Sequence, residues 1–535
     1  MAQILLGDLT FQIPGSPVTT QTFGVTNGLE YRGDNAPRVY APRVIEFINL
    51  QRDAVADGKT FGSTQAGGGV LRLANPDGYY DDWIDYGVGG PAVFRLVTST
   101  TADFNTATPL VTVKIRRVEM DFDEVRVHLQ DRSAETDVAF QSDLYLGTNS
   151  GASGVEGLPD DLQGLPRPDA LGYVFQAPLP WANQQALILE LDSERINNID
   201  DAKVYDGLVG LTRATARASL AALQSASPSS GTFDYYLGGS EDGAYIKLGA
   251  VPEYNITADI EGKAPLGVFL NMPGELFDWA LQQRAGVDYA NISADDLDVL
   301  LTSAPYDLGI WIDRQTTVRT VLDRIAASLP GYWYVDAYGV YRLKQARDPG
   351  GETPVLTFKV IRPTGIAATS DGDVVSIERL STNDAGGGVP AWQIRVLYKE
   401  FSQVTDLGFD TASNVSIRSE AKSRFRTAVA EDAAIKTLHP LAVTLEFETA
   451  LVNEADAQAV ADALLALYGV RRDRFKIGVR LTPALIASVD LGSYIGLEFP
   501  RYGMDSGKTF EVRSIHYRGA AVGAVSEIVD LDIWG

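Results

Sequence analysis

The chain has 535 residues, 45% of them hydrophobic, which at about 150 residues per domain is room for three or four domains with sizeable cores. Seventy acidic against 45 basic residues leave a formal charge of −25, a poor surface for wrapping nucleic-acid phosphates or adhering to anionic lipid. Cysteine is absent and only His128, His439 and His516 represent histidine, which removes disulfides, thiolate metal sites, cysteine nucleophiles and cysteine-ligated iron–sulfur clusters.

No apolar run is long enough for a spanning helix, and Met1 to Asp8 lacks the basic start of a signal peptide. The expectation is a soluble, acidic protein made in the cytoplasm. Fifty-one glycines, with 23 Tyr, 20 Phe and 7 Trp, suit short strands joined by turns better than a helical bundle. Short apolar stretches over 43–50, 70–73, 92–97, 112–120 and 124–129 read as strands, with turns at Asn75-Pro76-Asp77-Gly78 and Asp121-Phe122-Asp123. Residues 141–175 are rich in Gly, Pro, Asp and Ser and read as a long connection. Extended structure resumes over 186–191, 203–207, 244–248 and 256–260, with a short helix over Thr215 to Ser225.

Residues 266–345 change character. The sequence predicts helices over 275–284, after a Ser293 cap, and over Thr317 to Leu329. In the last of these Val318, Val321, Leu322, Ile325 and Leu329 make one apolar face before Pro330-Gly331. A hairpin follows around Tyr338-Gly339. Strands are expected again over 443–448, 475–481, 494–499 and 509–515. One helix interrupts them, capped by Asn453, with Ala459, Val460, Ala463, Leu464 and Leu467 inward and Gly469 at its end.

Candidate chemistry fails on spacing. Gly503-Met504-Asp505-Ser506-Gly507-Lys508-Thr509 ends like a phosphate-binding loop. The first glycine of that motif would fall at Tyr502, and Thr509 opens a strand rather than a helix. Gly151-Ala152-Ser153-Gly154 misses the hydrolase serine pattern at Val155. Asp77, Asp81, Asp82 and Asp85 beside Tyr79, Tyr80, Trp83 and Tyr86 could grip a sugar, but a solvated turn over packed aromatics explains them as well. Asn255, Asn291 and Asn414 head glycosylation triplets that carry no weight without a secretory signal. No catalytic, cofactor-binding or metal-ligating residue is assigned, and no cofactor is expected.

Collinear strings from about residue 69 to the end resemble the tail-hub proteins of long-tailed (siphovirus-type) bacteriophages. Near the N-terminus they are Gly69-Val70-Leu71-Arg72-Leu73-Ala74-Asn75-Pro76-Asp77-Gly78 and Asp85-Tyr86-Gly87. Val204-Tyr205-Asp206-Gly207, 242–249 and 257–262 follow. The C-terminal set comprises 426–434, His439-Pro440, 468–473, Asp490-Leu491-Gly492, 500–504 and Ile533-Trp534-Gly535. The resemblance implies a mainly β, multidomain fold with α+β parts: two related, barrel-like β hub domains and a helical accessory middle. Residues 1–140 would form the N-terminal hub domain and 141–265 a connection with a mainly β accessory region. Residues 266–350 would form an α+β accessory domain and 351–535 the C-terminal hub domain with its packed helix.

The same resemblance implies a non-enzymatic virion protein at the distal tail tip, a homotrimeric baseplate hub closing the tail tube and forming part of the DNA exit channel. Its partners would be the sixfold distal tail ring protein, other baseplate and central tail-fibre proteins and the tape-measure protein, with genome DNA only in transit. Three copies of a −25 chain would carry −75; acids lining a lumen would repel passing DNA, while acids covering the outside would serve solubility alone, and the sequence does not place them. A tail-associated glycosidase or a receptor-binding tail protein is the alternative.

Overall fold

The computed structural model describes residues 4–27, 30–55, 62, 67–207, 209–239, 242–360, 374–382, 388–402, 423–518 and 528–535. Among the described residues the fold is mainly β, with four sheets, one of them a two-stranded hairpin, and a helical middle. The Asn414 triplet lies outside the described residues.

The first sheet has fourteen strands and is built from both ends of the chain. Its path runs Val374–Leu380, Arg474–Arg480, Ile528–Trp534, Met504–Tyr517, Val44–Asp53, Gly68–Ala74, Glu124–Gln130, Thr108–Met120, Pro91–Val97, Ile4–Ile13, Thr19–Thr26 and Tyr40–Ala41. Tyr494–Phe499 pairs with the first half of Met504–Tyr517 and carries Leu356–Lys359 at its other edge. The two ends meet where Ser514, Ile515, His516 and Tyr517 pair antiparallel with Asp53, Arg52, Gln51 and Leu50. Alternating strands put Leu9, Phe94, Val113, Val127, Ile477, Phe510 and Leu531 in one continuous core.

The second sheet holds nine strands: Ile188–Asp192, Ala244–Leu248, Thr232–Tyr236, Val209–Ala216, Val204–Asp206, Ile256–Lys263, Asp169–Pro178 and Gly309–Ile312 along its path, with Ile196–Asn198 on the side. Two expectations change here. The helix sought in 215–225 shrinks to Leu220–Gln224, because Val209–Ala216 is a strand pairing parallel to Thr232–Tyr236. The supposed connection ends at Asp169, where strand Asp169–Pro178 begins. Its first part, 141–168, is irregular but pinned. Asn149 Nδ2 donates to the Ala182 carbonyl at 2.5 Å, Asn149 Oδ1 accepts from the Glu156 amide at 2.7 Å, and Tyr145 N donates to the Leu165 carbonyl at 3.0 Å. Asparagine side chains satisfy the backbone in place of a ladder, so the segment shows no periodicity.

The third sheet, Arg426–Glu431, Ala391–Tyr398 and Val443–Glu448, carries helix Glu454–Tyr468. That helix shares its core with Pro273–Trp279, Val318–Ser328 and the hairpin Gly331–Val335/Tyr341–Gln345. Val318, Val321, Leu322 and Ile325 are buried as their spacing predicts, and Thr317 Oγ1 caps their helix. Ser293 caps Ala294–Ser303 through the Asp296 amide.

The face of Glu454–Tyr468 is corrected. Ala457, Val460, Ala461, Leu464 and Leu467 are inward, while Ala459 and Ala463 are exposed. Successive residues are about 100° apart, so a stripe centred on Leu464 takes in Ala457 and Ala461 and leaves Ala459 and Ala463 on its flank. Asn453 makes no side-chain cap bond. Its amide donates instead to Asp307 at 2.8 Å and Asp456 at 3.2 Å.

Candidate functional site

The motifs singled out in the sequence disperse in space. Gly503 and Tyr502, at φ 73° and 57°, form the reversal between strands Tyr494–Phe499 and Met504–Tyr517, closed by the Met504 amide on the Arg501 carbonyl at 3.1 Å. Two successive positive φ angles are the signature of a primed hairpin turn. Lys508 lies on the strand beyond, its ammonium on Asp473 at 2.9 Å and the Gly535 carbonyl at 3.2 Å. The near-miss phosphate loop is a hairpin whose lysine ties down the C-terminal residue.

The acid–aromatic cluster is a turn over packed rings. Arg43 grips Asp77 with two bonds of 2.7 Å and lies 4.3 Å from the Tyr79 ring centroid. This guanidinium holds the Asp77 carboxyl down at about 2. Asn75 bridges the Tyr80 amide and Asp81, each at 2.8 Å. Tyr80 and Trp83 are buried, their rings 4.3 Å apart, with Trp83 also 4.6 Å from Phe11.

The histidines are scattered. His128 meets Glu119 at 2.9 Å and His516 meets Asn49 at 2.7 Å, with burial lowering the His516 pKa. His439 ends helix Ala433–Leu438. The Gly151–Gly154 string is a tight turn held by Asn183, whose amide donates to the Gly151 and Gly154 carbonyls at 3.2 and 2.9 Å. Among the described residues no cluster of three or more His, Asp or Glu is arranged to hold a metal ion.

Among the buried charges that sequence reading missed, two clusters stand out. The first is the join of the first sheet to the helical middle. Arg52, 1% exposed, donates to Asp490 Oδ1 and to the Val335 carbonyl, each at 2.8 Å, while Asp490 Oδ2 accepts from the Ala337 amide at 2.7 Å. One guanidinium thus ties an N-terminal strand, the central hairpin and a C-terminal loop. Close by, Tyr332 bonds Glu511, and Arg513 pairs with Glu511 at 2.7 Å.

The second place is the edge of the second sheet. Lys263, wholly buried, meets Asp169 and Asp192 at 2.5 Å each. Arg284 meets Asp169 at 3.0 Å and Glu194 at 2.8 Å, and lies over Trp279 at 4.9 Å. Burial works against the Asp169 carboxylate, but Lys263 and Arg284 outweigh it and hold its pKa below the usual range. Burial, with the neighbouring Asp169 charge, drives Asp192 upward.

Glu190, wholly buried, accepts from Arg167 at 2.9 Å and from Tyr145 and Tyr245. Burial pushes its carboxyl up to about 7 against the pull of Arg167. Arg167 continues to Glu156 at 2.5 Å. Both Glu190 oxygens are engaged and covered, so this carboxylate fastens the 141–168 segment to the sheet rather than facing a substrate. No local spacing marks these groups; only the pairing of distant strands brings them together.

Two depressions flank this fastening. A cleft of about 700 Å³ is lined by Asp143, Leu146, Glu156, Arg167, Asp242 and Tyr245, among others. A smaller pocket of about 310 Å³ lies between the pinned segment and the loop before Ile188–Asp192.

No protein-family profile and no curated protein sequence matches the chain. Among solved structures, the chain is similar to a tail protein from Neisseria meningitidis MC58, at 10% identity and TM-score 0.40, covering 100% of this chain and 97% of that one. It is also similar to the 43 kDa tail protein of prophage MuSo2 from Shewanella oneidensis, at 8% identity and TM-score 0.40, over 99% and 98% of the two chains. A chain from the virion of a native gene transfer agent particle is 15% identical at TM-score 0.38, over 73% of this chain and 90% of that one. With TM-scores below 0.5, these likenesses leave the functional argument to the chain's own residues.

Proposed function

We propose that the chain is a structural tail protein of a phage-type particle. In this reading it is a homotrimeric hub at the distal tail tip, seated against a sixfold ring and enclosing part of the DNA exit channel. The observation that carries the reading is where the hub-like strings fall in the fold. Gly69–Ala74 lies in the strand beside Val44–Asp53, which in turn pairs with Met504–Tyr517. Asp490 receives Arg52 across that join. Ile533 and Trp534 pair with Phe475 and Arg474. The resembling residues therefore hold two β units, one from each end of the chain, side by side in one sheet.

Three such chains would present six β units, which suits a sixfold ring. A formal charge of −25 per chain suits a channel that DNA crosses without sticking. The protein in this role needs no catalytic group, and its buried charges act as fasteners. Electron microscopy of intact particles, with copy number from mass measurement, tests the proposal. Three copies on the tail axis are expected. Six or twelve copies, or a location off the axis, overturns it.

A further inference from the structure

We infer that the 310 Å³ pocket of the second sheet binds a short neutral saccharide, an activity that goes beyond the hub reading and does not depend on it. Its walls include Asn149, Asp161, Trp181, Asn183, Gln184 and Gln185. Asn149 and Asn183 make the frame. The Asn149 amide spans Ala182 and Glu156, and Asn183, 1% exposed, donates to Gly151 and Gly154 while accepting from the Ala186 amide at 2.9 Å. The Gly157 amide donates to the Ala182 carbonyl at 3.0 Å, closing the floor. With these bonds made, the pocket is fixed before any ligand arrives, which lowers the ordering cost of binding.

The remaining polar groups on the walls are available. Gln184, Gln185 and Asp161 are exposed, and none of their side chains is engaged by another described residue. Trp181 is half-buried, packed on one side against the core of the second sheet.

This combination selects a chemistry. A primary amide carries an acceptor and two donors in one plane, matching adjacent hydroxyls that each donate and accept. A carboxylate accepts from two hydroxyls. An indole offers an apolar face for the C–H side of a sugar ring and one N–H donor. The volume sits at the lower end of ligand pockets, roughly 300–1,000 Å³, which suits one or two rings. The Asp161 carboxylate and the chain charge of −25 disfavour uronates and sialic acids. The larger cleft differs, because Glu156 and Arg167 on its wall are already bonded to each other. The acid–aromatic turn at 77–86 is unsuited too, since Tyr80 and Trp83 are inside the core.

The test is saturation-transfer NMR on the full chain with three probes: the trimer of N-acetylglucosamine, maltotriose and trigalacturonate. A neutral probe is expected to bind with a Kd of about 1 mM, and trigalacturonate not to bind. Replacing Gln184→Ala and Gln185→Ala together should weaken binding at least about tenfold, about 1.4 kcal/mol, with an unchanged melting curve. Asp161→Asn, at an exposed position, is the second variant and should weaken binding several-fold. The inference is overturned if the wild-type chain binds neither neutral probe, if trigalacturonate binds as well as they do, or if both variants bind like wild type.

Discussion

The first and second sheets bury charge differently, and the difference shows what each is built to resist. In the first sheet the apolar core runs without interruption from strands of one chain end to strands of the other. Its buried charges include pairs within the sheet, such as Asp8 with Arg95 and Asp530 with Arg518, and one at the join: Arg52 with Asp490, residues 438 apart in sequence. Such a pair adds little net stability once desolvation is counted, but it fixes which segments meet. In the second sheet the apolar core is smaller, and the charges lie inside the unit, with Lys263, Asp169, Asp192 and Glu190 all essentially covered. The first sheet should therefore respond to lost methylenes, and the second to lost or added charge.

The sharpest break comes from Lys263→Met. It leaves Asp169 and Asp192 buried without their shared cation, which should cost about 3–5 kcal/mol. Denaturant unfolding reads the loss. Adding Asp169→Asn and Asp192→Asn should recover much of it, and a mild effect of Lys263→Met alone would show that the cluster is not what holds this sheet.

Leu464→Ala offers the apolar counterpart, in the core beneath the third sheet. Leu464 is 1% exposed, and truncation should cost about 2–5 kcal/mol, equally at pH 5 and pH 8. An unchanged thermal midpoint would mean that the stripe on Glu454–Tyr468 is not packed as described.

The comparison is sharpened by pH. Glu190 keeps its proton up to about 7 in the fold, against an ordinary 4.5. A carboxyl raised in the folded state means that the folded chain binds more protons between those values. Its stabilising contribution is full below about 4.5 and is lost as pH rises through about 7. Over that window the Glu190 contribution lost should be roughly 3 kcal/mol. Amide exchange of Ile188–Asp192 should accelerate accordingly, and Glu190→Gln should reduce the dependence to the part carried by Asp192, whose carboxyl burial also drives upward. A slope unaltered by that variant would assign it to another group.

The smallest effect is expected at Lys508, whose side chain is one-third exposed. Lys508→Ala removes a partly solvated ion pair worth at most about 1 kcal/mol. It should leave any nucleotide behaviour unchanged; specific ATP binding abolished by this variant would restore the phosphate-loop reading.

Much of the local structure was written in the sequence by itself. Val318, Val321, Leu322 and Ile325 repeat with the helical period, and Thr317 and Ser293 cap as their chemistry directs. The hairpin at Tyr502-Gly503 could be told from a phosphate loop because an alternating strand follows it. These are short-range matters, decided by neighbours in the chain.

What only the tertiary structure decided is long-range. The inward alanines of Glu454–Tyr468 are Ala457 and Ala461 rather than Ala459 and Ala463, because small residues carry too little apolar area to point a helix until a sheet lies against it. The order of residues 141–168 depends on Asn149 and Asn183 finding carbonyls and amides across the fold. The fastenings of Arg52 on Asp490 and of Lys263 between Asp169 and Asp192 exist only once distant strands pair. A charge in a sequence carries no sign of its partner, since the force that joins them acts through space and falls with distance rather than with residue number.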